Sequence, residues 1–567
     1  VSLGRDTVVG EKTVLDIDTS LGDAAQIGHS SSLYAGQSIP DGERRCGSPA
    51  TQITTVDYRA APTTGPSNLK KAVYCLATSL PGFFTVSIVF SIMPEVVEFL
   101  GGRQHFADPA TPALFHWSFY IDALAISVIL FFGFMLLSLL IVGTVPRLLN
   151  RALSPNKAYP LYGLRYWLHG AIRGMTNLKF FTYLFGDSSY IVHYLQWIGY
   201  DLSRVVQTGS NFGMDVKHDN PFLVSIGSGT VVADGLSVIN ADYSSTSFSL
   251  SQASIGADNF VGNFVAYPAQ GKTGDNCLLA TKVMVPLEGE VRDETGLLGS
   301  PSFEIPRTVQ RDREIDSDRT NDLTQALRAK DRHNLATMGL FLLAHWFLPL
   351  VLLCVAFTAI ADLYRFIGFQ VLVLAGTFGV VFSMGYYILL ERLSTLFRPL
   401  QPLQCSIYDP RFWSHERYWK LMVTSDQLAM LNGTPFKGLA WRLLGVKIGK
   451  RVFDDGCGMT EKTMVSIGDD CTLNVGCIIQ PHSQEDGGFK SDRIAIGAGC
   501  TLGIGSWVHY GAKMSDGAQL EPDAFLMKGE EVSEGAIWGE NPAREISGGP
   551  VSDDNASRNM TPAIAAE

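Results

Sequence analysis

Aliphatic or bulky residues recur every six positions through the last part of the chain: Ile496, Leu502, Val508, Met514, Leu520, Leu526, Val532 and Trp538. Four positions after the aliphatic residue stands a small one, as at Cys500, Ser506, Ala512, Ala518 and Ala524. A helix repeats near 3.6 and an ordinary strand at two, so neither uses a period of six. A left-handed parallel β-helix does, because each triangular coil consumes three six-residue faces with the aliphatic residue filling the core. The same period runs through Ile226, Val232, Val238, Ile255, Val261 and on to Leu297, and again from Leu3 through Leu15 and Ile27 to Ile39. The second and third stretches share one register. Each takes a 17-residue step where six is expected, from Val238 to Ile255 and from Ile479 to Ile496, so each carries an 11-residue insertion at the same corner.

Four other stretches are apolar and long enough to cross a bilayer, which needs roughly 20 residues: Ala72–Met93, about Ala123–Val145, Leu335–Ile360 and Phe366–Leu390. Lys70 and Lys71 precede the first, and Arg147, Arg151 and Lys157 follow the second. Arg328, Lys330 and Arg332 precede the third, and Arg392 and Arg398 follow the fourth, while the turns within each pair carry little positive charge. The positive-inside rule therefore puts both hairpins across the cell membrane and returns the soluble parts to the cytoplasmic face.

The expected fold is a membrane protein with four transmembrane α-helices in two hairpins and three tandem left-handed parallel β-helix (hexapeptide-repeat) domains. The first of these is truncated, and the three form an intramolecular pseudo-trimer. The expected boundaries are 1–60 for the first β-helix, 68–146 for a transmembrane hairpin and 147–205 for an amphipathic helical connector. Residues 206–306 form the second β-helix, 307–333 a charged linker, 334–394 the second hairpin and 395–440 another amphipathic connector lying on the bilayer. The third β-helix takes 441–549, and 550–567 is a disordered tail. Opening at Val1 in mid-pattern, the chain reads as a fragment of something longer. Its net charge of −11 argues against nucleic acid as a partner. Nine cysteines form no CxxC pair, so no metal or redox motif is expected, and Cys471, Cys477 and Cys500 fall in the small-residue slot of the repeat.

An insertion at a β-helix corner cannot enter the coil and must project. In the third stretch it runs from Gln480 to Arg493 and gathers His482, Glu485, Asp486, Lys490 and Asp492. Histidine is the natural general base near neutral pH, and a carboxylate beside it fixes its tautomer. His482 is therefore the candidate catalytic residue, with Glu485 and Asp486 as its orienting carboxylates, and Lys490, Asn474 and Glu461 as candidate substrate-binding residues. The matching insertion, Asn240–Gln252, puts Ala241 where His482 stands, and Asp18 takes that place in the first stretch. Register alone leaves a base only in the third.

The strings TGSNFGMDVKHDNPF from Thr208, GDNCLLATKVMVP from Gly274, GLLGSPSFEIPR from Gly296 and LGVKIGKRVF from Leu444 resemble the membrane-bound C-terminal region of ε-poly-lysine synthetase and related NRPS-like poly-amino-acid synthetases. The resemblance covers nearly the whole chain. It implies upstream adenylation and carrier domains as partners, with ATP used by the former and 4′-phosphopantetheine carried by the latter. No cofactor is then bound to this part, the lipid bilayer and an amino-acid substrate are further partners, and a homodimer is left open. The implied activity is amide or isopeptide bond formation, by transfer of carrier-bound aminoacyl or peptidyl thioesters to an amino-acid amine. The alternatives are a coenzyme A-dependent O- or N-acyltransferase and a non-catalytic membrane scaffold or export partner. The family's insertion resembles a QxHxFEDR pattern: Gln480, His482, Glu485 and Asp486 match, Gln484 replaces the aromatic residue, and Gly487-Gly488 replace the basic segment.

Overall fold

The computed structural model describes residues 1–62, 65–80, 87, 91, 115–202, 211–307, 323–422, 425–485 and 487–546. In all three repeat stretches short parallel strands pair with the strand 18 residues further on. Ser2–Leu3 pairs with Ser20–Leu21, which pairs with Ser38–Ile39. In the third stretch Thr501–Leu502 pairs with Gln519–Leu520, which pairs with Ile537–Gly539. Three such ladders run side by side, so one circuit of chain takes three strands and stacks each six-residue face on its like. Where the insertion intervenes the partner is displaced but the ladder is kept: Ile226 pairs with Ile255 and Ile467 with Ile496.

The packing follows the period. Ile27, Leu279, Leu473, Leu502, Val508 and Leu526 are fully enclosed, and the small slots at Cys471, Cys477, Cys500, Ala512, Ala518 and Ala524 lie buried beside them. Enclosing such an aliphatic side chain is worth about 1.5–3 kcal/mol. Turns between faces are set by a repeated device. Asp23, Asp41, Asp275, Asp293 and Asp516 each accept, through Oδ1, the main-chain N–H of a residue 18 positions earlier. A glycine leaves room for each. A Cβ at Gly497 would stand 2.4 Å from Asp516 Oδ1.

The three stretches lie against one another. Ser48 N–H donates to Ser300 O and Ser300 N–H donates to Asn541 O, both at 2.9 Å, which joins the three corresponding X–Pro turns. Beside them the buried Lys282 ammonium meets the Asp523 carboxylate at 2.5 Å and donates to the carbonyls of Asp523 and Gly505. His29 bonds the Val285 carbonyl at 3.0 Å, and Glu540 N–H donates to the Tyr34 hydroxyl at 2.7 Å.

Three described helices are long and apolar enough to cross a membrane: Trp117–Asn150, Gln325–Thr358 and Gln370–Ser394. Half of the first expected span, Ala72–Met93, lies outside the described residues, and residues 68–80 are helical. The tail expected at 550–567 also lies outside them. The Pro410–Leu421 helix differs from a helix lying on a bilayer. Seven of its 12 residues are buried, polar ones included, because both apolar helices and the third repeat stretch close around it. Glu416 pairs with Lys330 at 2.6 Å, and Tyr418 donates to Glu391 at 2.9 Å.

Candidate functional site

The third insertion folds as a β-hairpin, not as an open loop. His482–Glu485 pairs antiparallel with Gly488–Ser491, and Leu403–Ser406 adds a third strand. Alternation along the hairpin sends Phe489 inward, where it is wholly enclosed and lies 4.9 Å from the Phe412 ring and 4.8 Å from His415. The hairpin is thereby pinned to the Pro410–Leu421 helix, and His482 is held in one place. Its ring lies 4.5 Å from that of Trp419.

Glu461 is the hub of the site. Its carboxylate is fully buried, with its two oxygens 2.8 and 2.9 Å from His482 Nδ1. It also receives Trp419 Nε1–H at 2.6 Å, His415 Nε2 at 3.0 Å and the Thr460 hydroxyl at 2.5 Å. Burial alone would raise this carboxyl, but His482 and His415 hold it well below the usual carboxylate range. A carboxylate only accepts, so Nδ1 of a neutral His482 ring carries the proton and Nε2 keeps its lone pair. The Gln480 amide, 3.2 Å away, donates to Nε2. Behind the hairpin, burial pushes His509 down to about 3, and its ring bonds the His482 main chain. The segment bearing Glu461 is itself anchored to an apolar helix, since its neighbour Lys462 pairs with Glu391 at 2.8 Å within the interior.

His482 faces a narrow cleft whose opposite wall belongs to the second repeat stretch and the segment before it. Val231–Asp234, Gly213, Phe260 and Asn263 line that wall, Asp187 also lines the cleft, and Trp419, His482 and Gln484 line the near side. Asp234 Oδ1 accepts the N–H groups of Met214 and Asp215 at 2.6 and 3.0 Å. Asp187, in the turn between the Lys179–Phe185 and Tyr190–Ile198 helices, is 8% exposed, and its Oδ2 has no hydrogen-bond partner.

The sequence-selected residues divide sharply. His482 and Glu461 meet, with Glu461 in the orienting position expected of Glu485. Glu485 instead receives the Ser483 hydroxyl at 2.9 Å and faces Lys528 at 3.5 Å; burial raises its carboxyl, but Lys528 and Ser483 prevail and hold it low. Asp486 lies outside the described residues. Lys490 is 9% exposed within the hairpin. The Asn474 side chain donates to Leu502 O at 2.8 Å, which commits it to the neighbouring coil. His415, Trp419 and Asp187 carry no local motif, and Asp234 stands in the turn-aspartate slot of the repeat, two residues after Val232. The cue in SHERYWK (Ser414–Lys420) was its alternation of aromatic and charged residues, which equally describes a surface helix.

The second stretch builds the same frame without the histidine and the glutamate. Its insertion is also a hairpin, Ala241–Tyr243 against Ser247–Leu250, with Tyr159–Pro160 as the third strand. His169 stacks on Phe248 at 5.1 Å, as His415 lies on Phe489. Asn220 holds the register position of Glu461 and Ala241 that of His482. The Asn220 side chain is spent on Phe222 N–H and on Asn150.

No family model matches the chain. It is similar to the delta-poly-L-ornithine synthetase of Acinetobacter baumannii (strain AB307-0294), being 25% identical over 571 residues that cover 96% of this chain and 40% of that protein. The chain thus spans less than half the length of that relative. Among solved structures, a maltose O-acetyltransferase from Clostridium difficile 630 aligns over 26% of this chain and 91% of its own. Its TM-score is 0.18 and its identity 14%, a likeness too slight to bear on fold or function.

Proposed function

We propose that this chain is the amide-bond-forming, membrane-embedded part of a poly-amino-acid synthetase, with His482 as general base. The observation that carries the proposal is the His482–Glu461 pair, with Nδ1 2.8 Å from a buried carboxylate and the ring facing a cleft between two repeat stretches. Similarity to a poly-ornithine synthetase supports the reaction class. The three stretches are then left-handed β-helices in an intramolecular pseudo-trimer, and four spans in two hairpins hold them at the cytoplasmic face of the cell membrane.

The donor is an aminoacyl or peptidyl thioester on the phosphopantetheine arm of a carrier domain, loaded by an ATP-using adenylation domain. The amides of Asn263 and Gln484 suit the amide groups of such an arm along the cleft. The acceptor amine gives a proton to His482 Nε2 as its nitrogen attacks the thioester carbonyl. The C–N bond forms, the C–S bond breaks, and the departing sulfur takes up the proton that His482 holds. Glu461 stabilises the imidazolium in between. Trp419 and the hairpin exclude bulk water, which otherwise competes as nucleophile.

The test is mass spectrometry of products from the full-length protein supplied with ATP and a panel of amino acids. The proposal expects a ladder of masses spaced by one amino-acid residue. Single acylation of an acceptor from coenzyme A, with no ladder, would assign the site to an ordinary acyltransferase.

A further inference from the structure

Glu461, 2.8 Å from His482 Nδ1, is gripped through both of its chain neighbours. On one side Lys462 is wholly enclosed and donates to Glu391 Oε2 at 2.8 Å. On the other, the Thr460 carbonyl lies 2.8 Å from the Tyr418 hydroxyl, which is also 2.9 Å from Glu391 Oε1. The one Tyr418 hydrogen is shared between those two acceptors. Burial, then Glu391 and Glu461, hold the phenol well above its usual range, so it stays a donor. Glu391 thus directs one oxygen to each flank of Glu461, and it stands in the last turn of the apolar Gln370–Ser394 helix.

The groups that bond Glu461 are tied to a second apolar helix. His415 and Trp419 reach Glu461 from the Pro410–Leu421 helix, and Glu416 beside them pairs with Lys330 of the Gln325–Thr358 helix at 2.6 Å. Lys330 is wholly enclosed, and its ammonium also lies 4.9 Å from the Phe412 ring, which packs on Phe489 of the His482 hairpin. Between the two apolar helices the Tyr386 hydroxyl donates to Ala344 O at 2.8 Å. Desolvation cancels much of the attraction in such enclosed ion pairs, so stability is a weak reason for them. What they supply here is geometry. One helix fixes the segment that carries Glu461, and the other fixes the donors that Glu461 accepts.

We propose that Glu391 and Lys330 are positioning residues: through Lys462 and Glu416, the two membrane-length helices hold Glu461 and its donors in line with His482, so that transfer at the site depends on how those helices pack. A relative shift of about 1 Å between the helices is passed to the Glu461–His482 contact, and misplacement of that size costs on the order of a hundredfold in rate.

The test is the pH dependence of single-turnover transfer by the full-length protein, from a loaded carrier thioester to an amine acceptor. Two variants remove a pair without stranding a charge: Glu391→Gln with Lys462→Met, and Lys330→Met with Glu416→Gln. Each should lower the rate constant about ten- to a hundredfold and leave the half-saturating acceptor concentration within about twofold. Each should also move the acid limb of the profile to lower pH, because an imidazolium without its aligned carboxylate loses its proton more readily. In a Glu461→Gln background the same substitutions should cost less than about twofold more, since the group they position is already gone. Glu391→Asp, which keeps the charge and draws it back by one methylene, is the milder variant should the exchanges disturb folding, and it should show the same shift of the limb. A wild-type rate and profile in these variants, or a loss as large in the Glu461→Gln background as in wild type, would overturn the proposal. Because this role rests on His482 being the base, His482→Ala in the same assay separates the two claims. Wild-type transfer by His482→Ala rejects the base, whereas loss in His482→Ala with none in the pair variants rejects the positioning alone.

Discussion

His482 Nδ1 lies between the two carboxylate oxygens of Glu461, 2.8 Å from one and 2.9 Å from the other, although 21 residues separate them in sequence. In the proposed mechanism this contact makes Glu461 the orienting group. Glu461→Gln keeps the shape but offers an amide that donates as well as accepts, so the His482 tautomer is no longer fixed. Turnover is expected to fall about a hundredfold. Glu485→Gln, which does not touch the ring, should fall by far less. Equal losses in the two variants would contradict the assignment.

Glu461 also links stability to acidity. Its folded carboxyl is held below the ordinary value of 4.5, so its contribution is complete above that pH and is lost as pH falls toward the depressed folded value. Denaturation between pH 5 and pH 3 should show a shallower acid loss in Glu461→Gln than in wild type.

Histidines act at higher pH. Burial drives His29 and His169 down to about 4, and His218 and His509 to about 3, from 6.5. The unfolded chain takes up protons near 6.5 that the folded chain refuses. Their contribution is therefore full above 6.5 and is lost as pH falls through the window down to 4 and 3. His29→Gln keeps a donor to Val285 O and should reduce the stability lost between pH 7.5 and 5.0 by about 2 kcal/mol. Identical pH profiles for variant and wild type would refute this.

The Lys282–Asp523 pair, with side chains 4% and 6% exposed, ties the second repeat stretch to the third. Lys282→Met strands a buried acid and should cost about 3–5 kcal/mol. Lys282→Met with Asp523→Asn should recover a large part of that loss, because the uncompensated charge is gone. Thermal melting in detergent measures both, and strict additivity would show that the pair is uncoupled.

The six-residue period was legible because each core position is set locally: Leu502 packs on Leu520 one coil on, and every coil repeats the choice. The paired insertions were legible for the same reason, and Ile226↔Ile255 and Ile467↔Ile496 keep the register they implied. The site was legible only in part. His482 stood out as the histidine that Ala241 lacks, and Glu461 was singled out, but for substrate. Its contact with His482 exists only because the hairpin folds back over the coil and Phe489 locks it to the helix bearing His415 and Trp419. Asp187 and Asp234 reach the cleft through packing between stretches far apart in sequence, which no local spacing encodes.

In the proposed topology the turn between the Gln325–Thr358 and Gln370–Ser394 helices faces outward, and Phe366 in it is 73% exposed. In a Cys75→Ser background, a cysteine at Phe366 should react with an impermeant maleimide added to intact cells. A cysteine at the exposed Asp516 should react only after lysis. Labelling of Asp516 in intact cells would place the repeat stretches on the outer face.

The central claim is that His482 removes the proton from the attacking amine, and single-turnover transfer from a loaded thioester to an amine acceptor tests it most directly. In His482→Ala the rate constant should drop about 10²–10⁴-fold while upstream loading of the carrier is unchanged. Raising the pH should restore part of it, because solvent then deprotonates the amine that His482 otherwise serves. Transfer by His482→Ala at the wild-type rate, giving the normal product at neutral pH, would contradict the account.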